Sequence, residues 1–126
     1  MPRRNRIGVS VAAAAVLALS TTAWAADVTG ILVDTACYNF NKANTTMAHK
    51  GMTDTCAADC AKKGNKLAVV TKDGEMYEIT GALTADNNTK LVPHMTHNIV
   101  LTGKVTKGAT GKPSQIDATA LKMAAQ

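Results

Sequence analysis

Short stretches of β-forming residues, separated by turn-forming residues, recur along the chain from residue 28 onward. The first is Val28–Asp34, with the sequence VTGILVD. The clearest is Lys66–Gly81, in which two apolar runs are joined by Asp73 and Gly74. An Asp-Gly pair between such runs is typical of a tight hairpin, because it supplies positive φ angles. This pattern predicts one strand followed, after a polar excursion, by a β-hairpin.

Two further strands are predicted near the end of the chain. In Asn98–Val105 an apolar face alternates with polar positions, and Gly103 lies where a bend or a bulge is expected. The apolar residues of that face are Ile99, Leu101 and Val105. Gln115–Met123 alternates less cleanly, because Leu121 and Met123 break the parity set earlier in the segment. The residues that share the first parity are Ile116, Ala118 and Ala120.

One short helix is well signalled between the first two strands. The segment Asp54–Gly64, DTCAADCAKKG, has an acidic start, two lysines in its last turn and a glycine just beyond. Cys56 and Cys60 are four residues apart and therefore share one face of this helix. A second helical turn is predicted near residues 85–91, ending before Pro93.

The order of these elements predicts the fold class. A strand, an excursion with a short cysteine-bearing helix, a hairpin, another helical turn and two strands follow the order of the OB-fold, a five-stranded Greek-key barrel. We therefore expect a mostly β protein with a small OB-like barrel. We expect residues 26–126 to form a single domain, since no repeat or long linker interrupts them.

The first 25 residues have the pattern of a cleavable signal peptide. Three arginines precede an apolar run of about a dozen residues, and Ala23-Trp24-Ala25 matches an A-x-A cleavage site. The run is shorter than the roughly 20 residues of a membrane span, which argues against an N-terminal anchor. Cleavage after Ala25 and a periplasmic or secreted location follow, and Arg3-Arg4 leaves twin-arginine export as an alternative route.

Removal of this segment changes the charge of the protein. The whole chain has a net charge of +5, but all three arginines lie in the leader, and the remaining eleven lysines and nine acids leave +2. A chain without arginine lacks the side chain that binds phosphate and guanine in a bidentate manner. Its three aromatic residues are too few for base stacking. Nucleic-acid binding is therefore not expected, and the mature chain is not expected to span a membrane.

Four segments together resemble a group of small exported bacterial OB-like proteins of unassigned function that share a three-cysteine pattern. They are GILVDTAC, CAADCAKKG, LAVVTKDGEMYEITG and IVLTGKV, and the similarity covers roughly residues 28–123. The resemblance implies the fold but no activity. It also implies histidines and methionines between the first and second cysteines, at the positions of Met47, His49 and Met52.

Two interpretations of the cysteines stay open at the sequence level. Cys37 follows the first strand, so a disulfide to Cys56 or Cys60 would tie that strand to the helix and stabilise the fold by about 3 kcal/mol. A Cys56–Cys60 disulfide is less favourable, because residues one helical turn apart lie at the outer limit of disulfide geometry. In the other interpretation the three thiolates bind a soft metal ion.

Soft donors near the cysteines favour the metal interpretation. Met47, His49 and Met52 supply thioether and imidazole groups, which with thiolates suit Cu(I) first and zinc second. The spacing is not that of a zinc finger, so zinc would need an irregular Cys3His site. Against this, a histidine on a polar loop is often solvated and methionines often fill gaps. A second candidate metal cluster follows Pro93: His94, Met95 and His97.

Catalysis has little support in the sequence. The acidic residues are scattered or occupy caps and turns, and the motifs of serine hydrolases and zinc proteases do not occur. We therefore predict no enzymatic activity and no catalytic residues. The sequence predicts an exported binding protein for a soft metal, copper first. The alternative is a disulfide-stabilised barrel that binds a partner protein or an envelope glycan and no metal.

Overall fold

The computed structural model describes residues 22–125, except for residues 50 and 53. Most of the predicted signal peptide therefore lies outside the described residues. The strands are β1 (Ala23–Asp34), β2 (Leu67–Val70), β3 (Met76–Thr80), β4 (Asn98–Thr106) and β5 (Ser114–Met123). The helices are α1 (Thr35–Phe40), α2 (Cys56–Lys62) and a short segment α3 (Ala85–Asn88), with 3-10 turns at Ala82–Thr84 and Val92–His94.

The five strands form a closed barrel in the order β1-β2-β3-β5-β4. Neighbouring strands are antiparallel except β3 and β5, which are parallel. The long strand β1 pairs with β4 along residues 23–31 and with β2 along residues 31–34. Gly30 lies next to the point where β1 changes its partner strand from β4 to β2. A Cβ atom at Gly30 would overlap the carbonyl oxygen of Val70. The predicted five-stranded OB-like barrel is confirmed.

The β2–β3 hairpin has the predicted turn in a slightly different form. Gly74 has a φ of +82° and donates its N–H to the carbonyl of Thr71 at 2.9 Å. The N–H of Thr71 in turn donates to the carbonyl of Glu75. This is the pattern of a three-residue loop with glycine in the left-handed region. Asp73 does not take a positive φ, so only one residue of the predicted Asp-Gly pair requires the special conformation.

A bulge between β4 and β5 explains the broken alternation of the last strand. Thr102 pairs with Ala120, but its neighbour Gly103 pairs with Ala118, so Thr119 is an extra residue in β5. A side chain at Gly103 would overlap the carbonyl oxygen of Asp117, which is why the bulge requires glycine on the facing strand. The parity of buried positions changes after the bulge, as the sequence pattern indicates.

The helical segments agree only in part with the sequence-based prediction. The helix predicted from Asp54 is present as α2, while α1, which carries Cys37, was not predicted. Near residues 85–91 the chain forms tight turns rather than a regular helical turn, because Asp86, Asn87 and Asn88 take positive φ angles. Within residues 22–125, no helix is long and apolar enough to cross a membrane.

Two clusters of buried side chains hold these elements together. The larger fills the barrel and includes Ala57 and Ala61 of α2, which are 1% and 0% exposed. The smaller lies between α1 and the outer surface of β1 and β2 and contains Tyr38, Val33 and Val70. The two cysteine-bearing helices are thus each fixed to the barrel by a separate apolar contact.

Candidate metal centre

Cys37 is positioned by the end of strand β1. Asp34, the last residue of that strand, is the N-cap of α1 and accepts the N–H of Cys37 through Oδ1 at 2.8 Å. An aspartate at this position satisfies an N–H group that the helix itself leaves unpaired. The next residue, Thr35, donates its N–H to the carbonyl of Lys66 at 3.0 Å, which fixes α1 beside the start of β2.

The other two cysteines are positioned by α2. Cys56 and Cys60 are separated by one helical turn; Cys56 is 6% exposed and Cys60 is half-buried. The carboxyl-terminal end of α2 is fixed by Asn88, whose Nδ2 donates to the carbonyls of Ala61 and Asn65, both at 2.9 Å. Asn88 is 3% exposed, so these two hydrogen bonds satisfy an amide group that water does not reach.

The loop between α1 and α2 brings a histidine to the thiols. Asn44 donates to the carbonyl of Cys37 at 2.9 Å, and Ala57 donates its N–H to the carbonyl of Met47 at 3.1 Å. The loop is therefore bonded to both helices. His49 is only 4% exposed, and its Nδ1 has no hydrogen-bond partner among the described residues. An imidazole nitrogen buried without a partner is costly unless a ligand satisfies it.

Cys37, His49 and Cys56 converge on one point. One ligand atom from each lies within 4.8 Å of those of the other two. A metal ion with bonds of about 2.3 Å to sulfur separates its ligand atoms by roughly 3.7–4.0 Å. Side-chain movements of about 1 Å or less would therefore close the three donors around an ion. The three residues lie close enough to hold a metal ion.

The remaining predicted donors surround this group at different depths. The Cys56 thiol donates to the thioether of Met52 at 3.2 Å, and Met52 is 61% exposed. Met47 is half-buried and packs against the core of the barrel. Cys60 lies next to both Cys37 and Cys56, whose side chains influence its ionisation. The centre therefore has additional soft donors beside the three that converge.

Both half-buried thiols are held in the protonated state. Burial is the main cause that raises the pKa of Cys37 from 9.0 to about 12, and the neighbouring Asp34 carboxylate and the Cys60 thiol add to it. The pKa of Cys60 is raised by burial first, and then by the charges of Asp34 and Cys56. A bound cation would reverse this balance, because thiolates are the form that ligates metals.

No disulfide joins the three described cysteines, each of which is a free thiol. The structure therefore does not contain the disulfide between Cys37 and either Cys56 or Cys60 that is the alternative to a metal site. The proximity of Cys37 and Cys56 is compatible with either chemistry. The buried His49 adds a donor that a disulfide would not use.

The second candidate cluster is spread over different environments. Met95 is fully buried in the barrel core, His94 is half-buried, and His97 is exposed. The backbone carbonyl of His97 accepts the N–H of Leu32 at 3.1 Å, and its N–H donates to the carbonyl of His94. The main-chain contacts of this segment thus attach it to β1, and metal binding by its two histidines stays a prediction.

Asp34 is a residue of the centre that was not predicted from the sequence. It is 1% exposed, and its Oδ2 has no hydrogen-bond partner among the described residues. The available sequence signal is the spacing Asp34-Thr-Ala-Cys37, which is that of an N-cap and the third helical residue. Its burial beside two thiols cannot be inferred from that spacing.

No protein-family model, no curated protein and no solved structure matches this chain. The geometry of the Cys37–His49–Cys56 group is therefore the main basis for a functional conclusion.

Proposed function

We propose that this protein is an exported soft-metal-binding protein, without enzymatic activity, that binds Cu(I) through Cys37, Cys56 and His49, with Cys60 as a further donor and the Met52 thioether in contact with Cys56. The observation that carries the proposal is the convergence of three ligand atoms within 4.8 Å. Two of the three residues are buried, and the imidazole of His49 has an unpartnered nitrogen there.

The donor set supports copper ahead of other metals. Thiolate and thioether groups select Cu(I), whereas carboxylates, which suit magnesium and calcium, are not among the three converging donors. Zinc is the second choice, since three cysteines and one histidine make a tetrahedral set for it. The thioether of Met52 beside Cys56 favours Cu(I), because thioethers are not among the usual zinc ligands.

The test is a competition titration of the reduced exported protein against a chromophoric Cu(I) chelator in the absence of oxygen. We expect one Cu(I) per chain. Cys56→Ser and Cys37→Ser should each weaken Cu(I) binding by on the order of a hundredfold or more. Loss of a residue that only supports a ligand reduces metal affinity by less than this. His49→Gln should weaken it measurably, while His97→Gln, which changes an exposed histidine of the second candidate cluster, should leave the affinity of this centre unchanged.

Two outcomes would contradict the proposal. If alkylation of the protein unfolded without a reductant finds one free thiol and copper uptake is negligible, the barrel carries a structural disulfide and its ligand is not a metal. If a zinc competition titration gives the same dependence on Cys56 and His49 but copper does not compete, the site is a metal site and the assignment to copper is wrong.

A further inference from the structure

Met52 differs from the other donors of the centre in its exposure. Its side chain is 61% exposed, whereas Cys56 and His49 are 6% and 4% exposed. Cys37 and Cys60 are half-buried. The Met52 Sδ nevertheless lies 3.2 Å from the Sγ of Cys56. One side chain thus connects solvent with a buried thiol of the centre.

A backbone turn holds Met52 in this place. The N–H of Met52 donates to the carbonyl of His49 at 2.9 Å. Between them Gly51 takes a φ of +79°, the conformation that certain four-residue turns require at their third position. The buried imidazole of His49 and the exposed thioether of Met52 are therefore carried by the same turn.

The chemistry of a thioether suits capture rather than permanent binding. Its sulfur is neutral and polarisable, binds soft cations such as Cu(I) and Ag(I), and has no proton to lose. A thiolate binds the same cations more strongly, because it is charged. Transfer of a cation from the thioether of Met52 to the thiolate of Cys56 would therefore lower the free energy.

We propose that Met52 is the exchange ligand of the centre, through which a soft monovalent cation enters and leaves. This rests on the proposed metal-binding function. On entry the bond from the metal to the outside donor breaks as the bond to Met52 Sδ forms. The metal then bonds to Cys56 Sγ, whose proton passes to solvent, and the bond to Met52 is released. The oxidation state of the metal does not change, and exit reverses these steps.

The test measures the rate of Cu(I) transfer in both directions between the full chain and its complex with a chromophoric chelator, by stopped-flow absorbance. Met52→Leu keeps the size and apolar character of the side chain but removes the sulfur. The rate constants for uptake and for release should both fall by roughly tenfold, because the two directions share the intermediate that is lost. Their ratio, which is the equilibrium constant for transfer, should change by less than about threefold. Met52→Ala, which adds no new donor, should give the same result.

Met123→Leu is the matched control, because Met123 is also an exposed methionine, at 49%, but lies at the end of β5 and is not a donor of the centre. Its rates should equal those of the unmodified protein. If Met52→Leu raises only the rate of release, Met52 is an ordinary ligand and the proposal is wrong. Unchanged rates in both Met52 variants would also overturn it. A failure of the metal-binding proposal would be seen separately, as absence of copper uptake by the unmodified protein at equilibrium.

Discussion

The two oxygens of Asp34 have different roles in the structure. Oδ1 caps α1 through the N–H of Cys37, and Oδ2 is buried without a partner among the described residues. The same carboxylate contributes to the raised pKa of Cys37, after burial itself. Because the pKa is higher in the folded than in the unfolded state, this thiol stabilises the metal-free fold below pH 9.0, and the contribution is lost as the pH rises toward about 12.

A prediction about reactivity follows from this carboxylate. With its pKa near 12, Cys37 in the metal-free protein has a thiolate fraction at neutral pH roughly a thousandfold below that of an ordinary thiol, so alkylation should be slow. Asp34→Asn keeps an oxygen for the helix cap but removes the negative charge. It should lower the pKa of Cys37 and accelerate alkylation by iodoacetamide, measured on the Cys37 peptide by mass spectrometry.

The control for this experiment is Asp59→Asn, which removes an acid of α2 that hydrogen bonds to Thr55 and not to a thiol. It should leave the alkylation rate of Cys37 unchanged. An equal acceleration in both variants would show that general loss of negative charge, rather than the Asp34 carboxylate, controls the thiol.

Some residues of the centre could be predicted from the sequence and others could not. The i, i+4 spacing is enough to place Cys56 and Cys60 on one face of a helix, because that relation is local. The burial of His49 depends on hydrogen bonds from the loop to α1 and α2, as at Asn44 and Met47. Such contacts between irregular and regular segments leave no periodic pattern in the sequence.

At the scale of elements, the alternation of hydrophobic and polar residues was the reliable signal for strands. The hydrophobic face of β4, the hairpin and the interrupted pattern of β5 all correspond to the barrel. Helix α1 was missed because it has six residues and no acidic first turn, which is too short for periodicity to be visible. Its only sequence signal was the cap at Asp34. Tertiary packing of Tyr38 on the outside of the barrel accounts for the rest.

The hairpin between β2 and β3 permits a test of this element alone. Gly74→Val places a β-branched residue at a φ of +82° and should destabilise the protein by roughly 1–2 kcal/mol, measured by thermal or urea unfolding. Among the described residues other than its two chain neighbours, no atom lies within 4 Å of a Cβ at this position, so the effect comes from the backbone conformation and not from a clash.

Gly74→Asn is the matched control for that substitution. Asparagine adopts the left-handed conformation more readily than valine, so the loss of stability should be clearly smaller. If both variants unfold at the temperature of the unmodified protein, the left-handed conformation of Gly74 does not contribute to stability.

At the scale of the whole molecule, the candidate centre joins parts of the chain that the barrel alone does not join. Cys37 belongs to α1, His49 to the loop and Cys56 to α2. In the sequence, all three lie in the connection between β1 and β2. An ion bound to them acts as a cross-link across this connection. Binding to the folded state alone raises stability by mass action.

We therefore expect metal to raise the melting temperature of the reduced protein. A free Cu(I) concentration of about 100 times the dissociation constant corresponds to about 2.7 kcal/mol. For a domain of this size each kcal/mol raises the melting temperature by roughly 4–8 °C. A Cu(I) chelator should reverse the effect, and Cys56→Ser should abolish it. An equal rise in that variant would mean that copper stabilises the protein somewhere else.

If the protein is exported as its sequence predicts, the long strand β1 bears on the order of cleavage and folding. The predicted cleavage bond, Ala25–Ala26, lies inside this strand, and residues 23–25 pair with residues 104–106 of β4. A peptidase needs these residues unpaired, whereas closure of the barrel recruits them. If the chain is exported and cleaved as predicted, cleavage and folding would therefore compete for the same segment. A precursor that is cleaved first would fold with three residue pairs of the β1–β4 ladder missing, whereas one that folds first would protect its own cleavage bond.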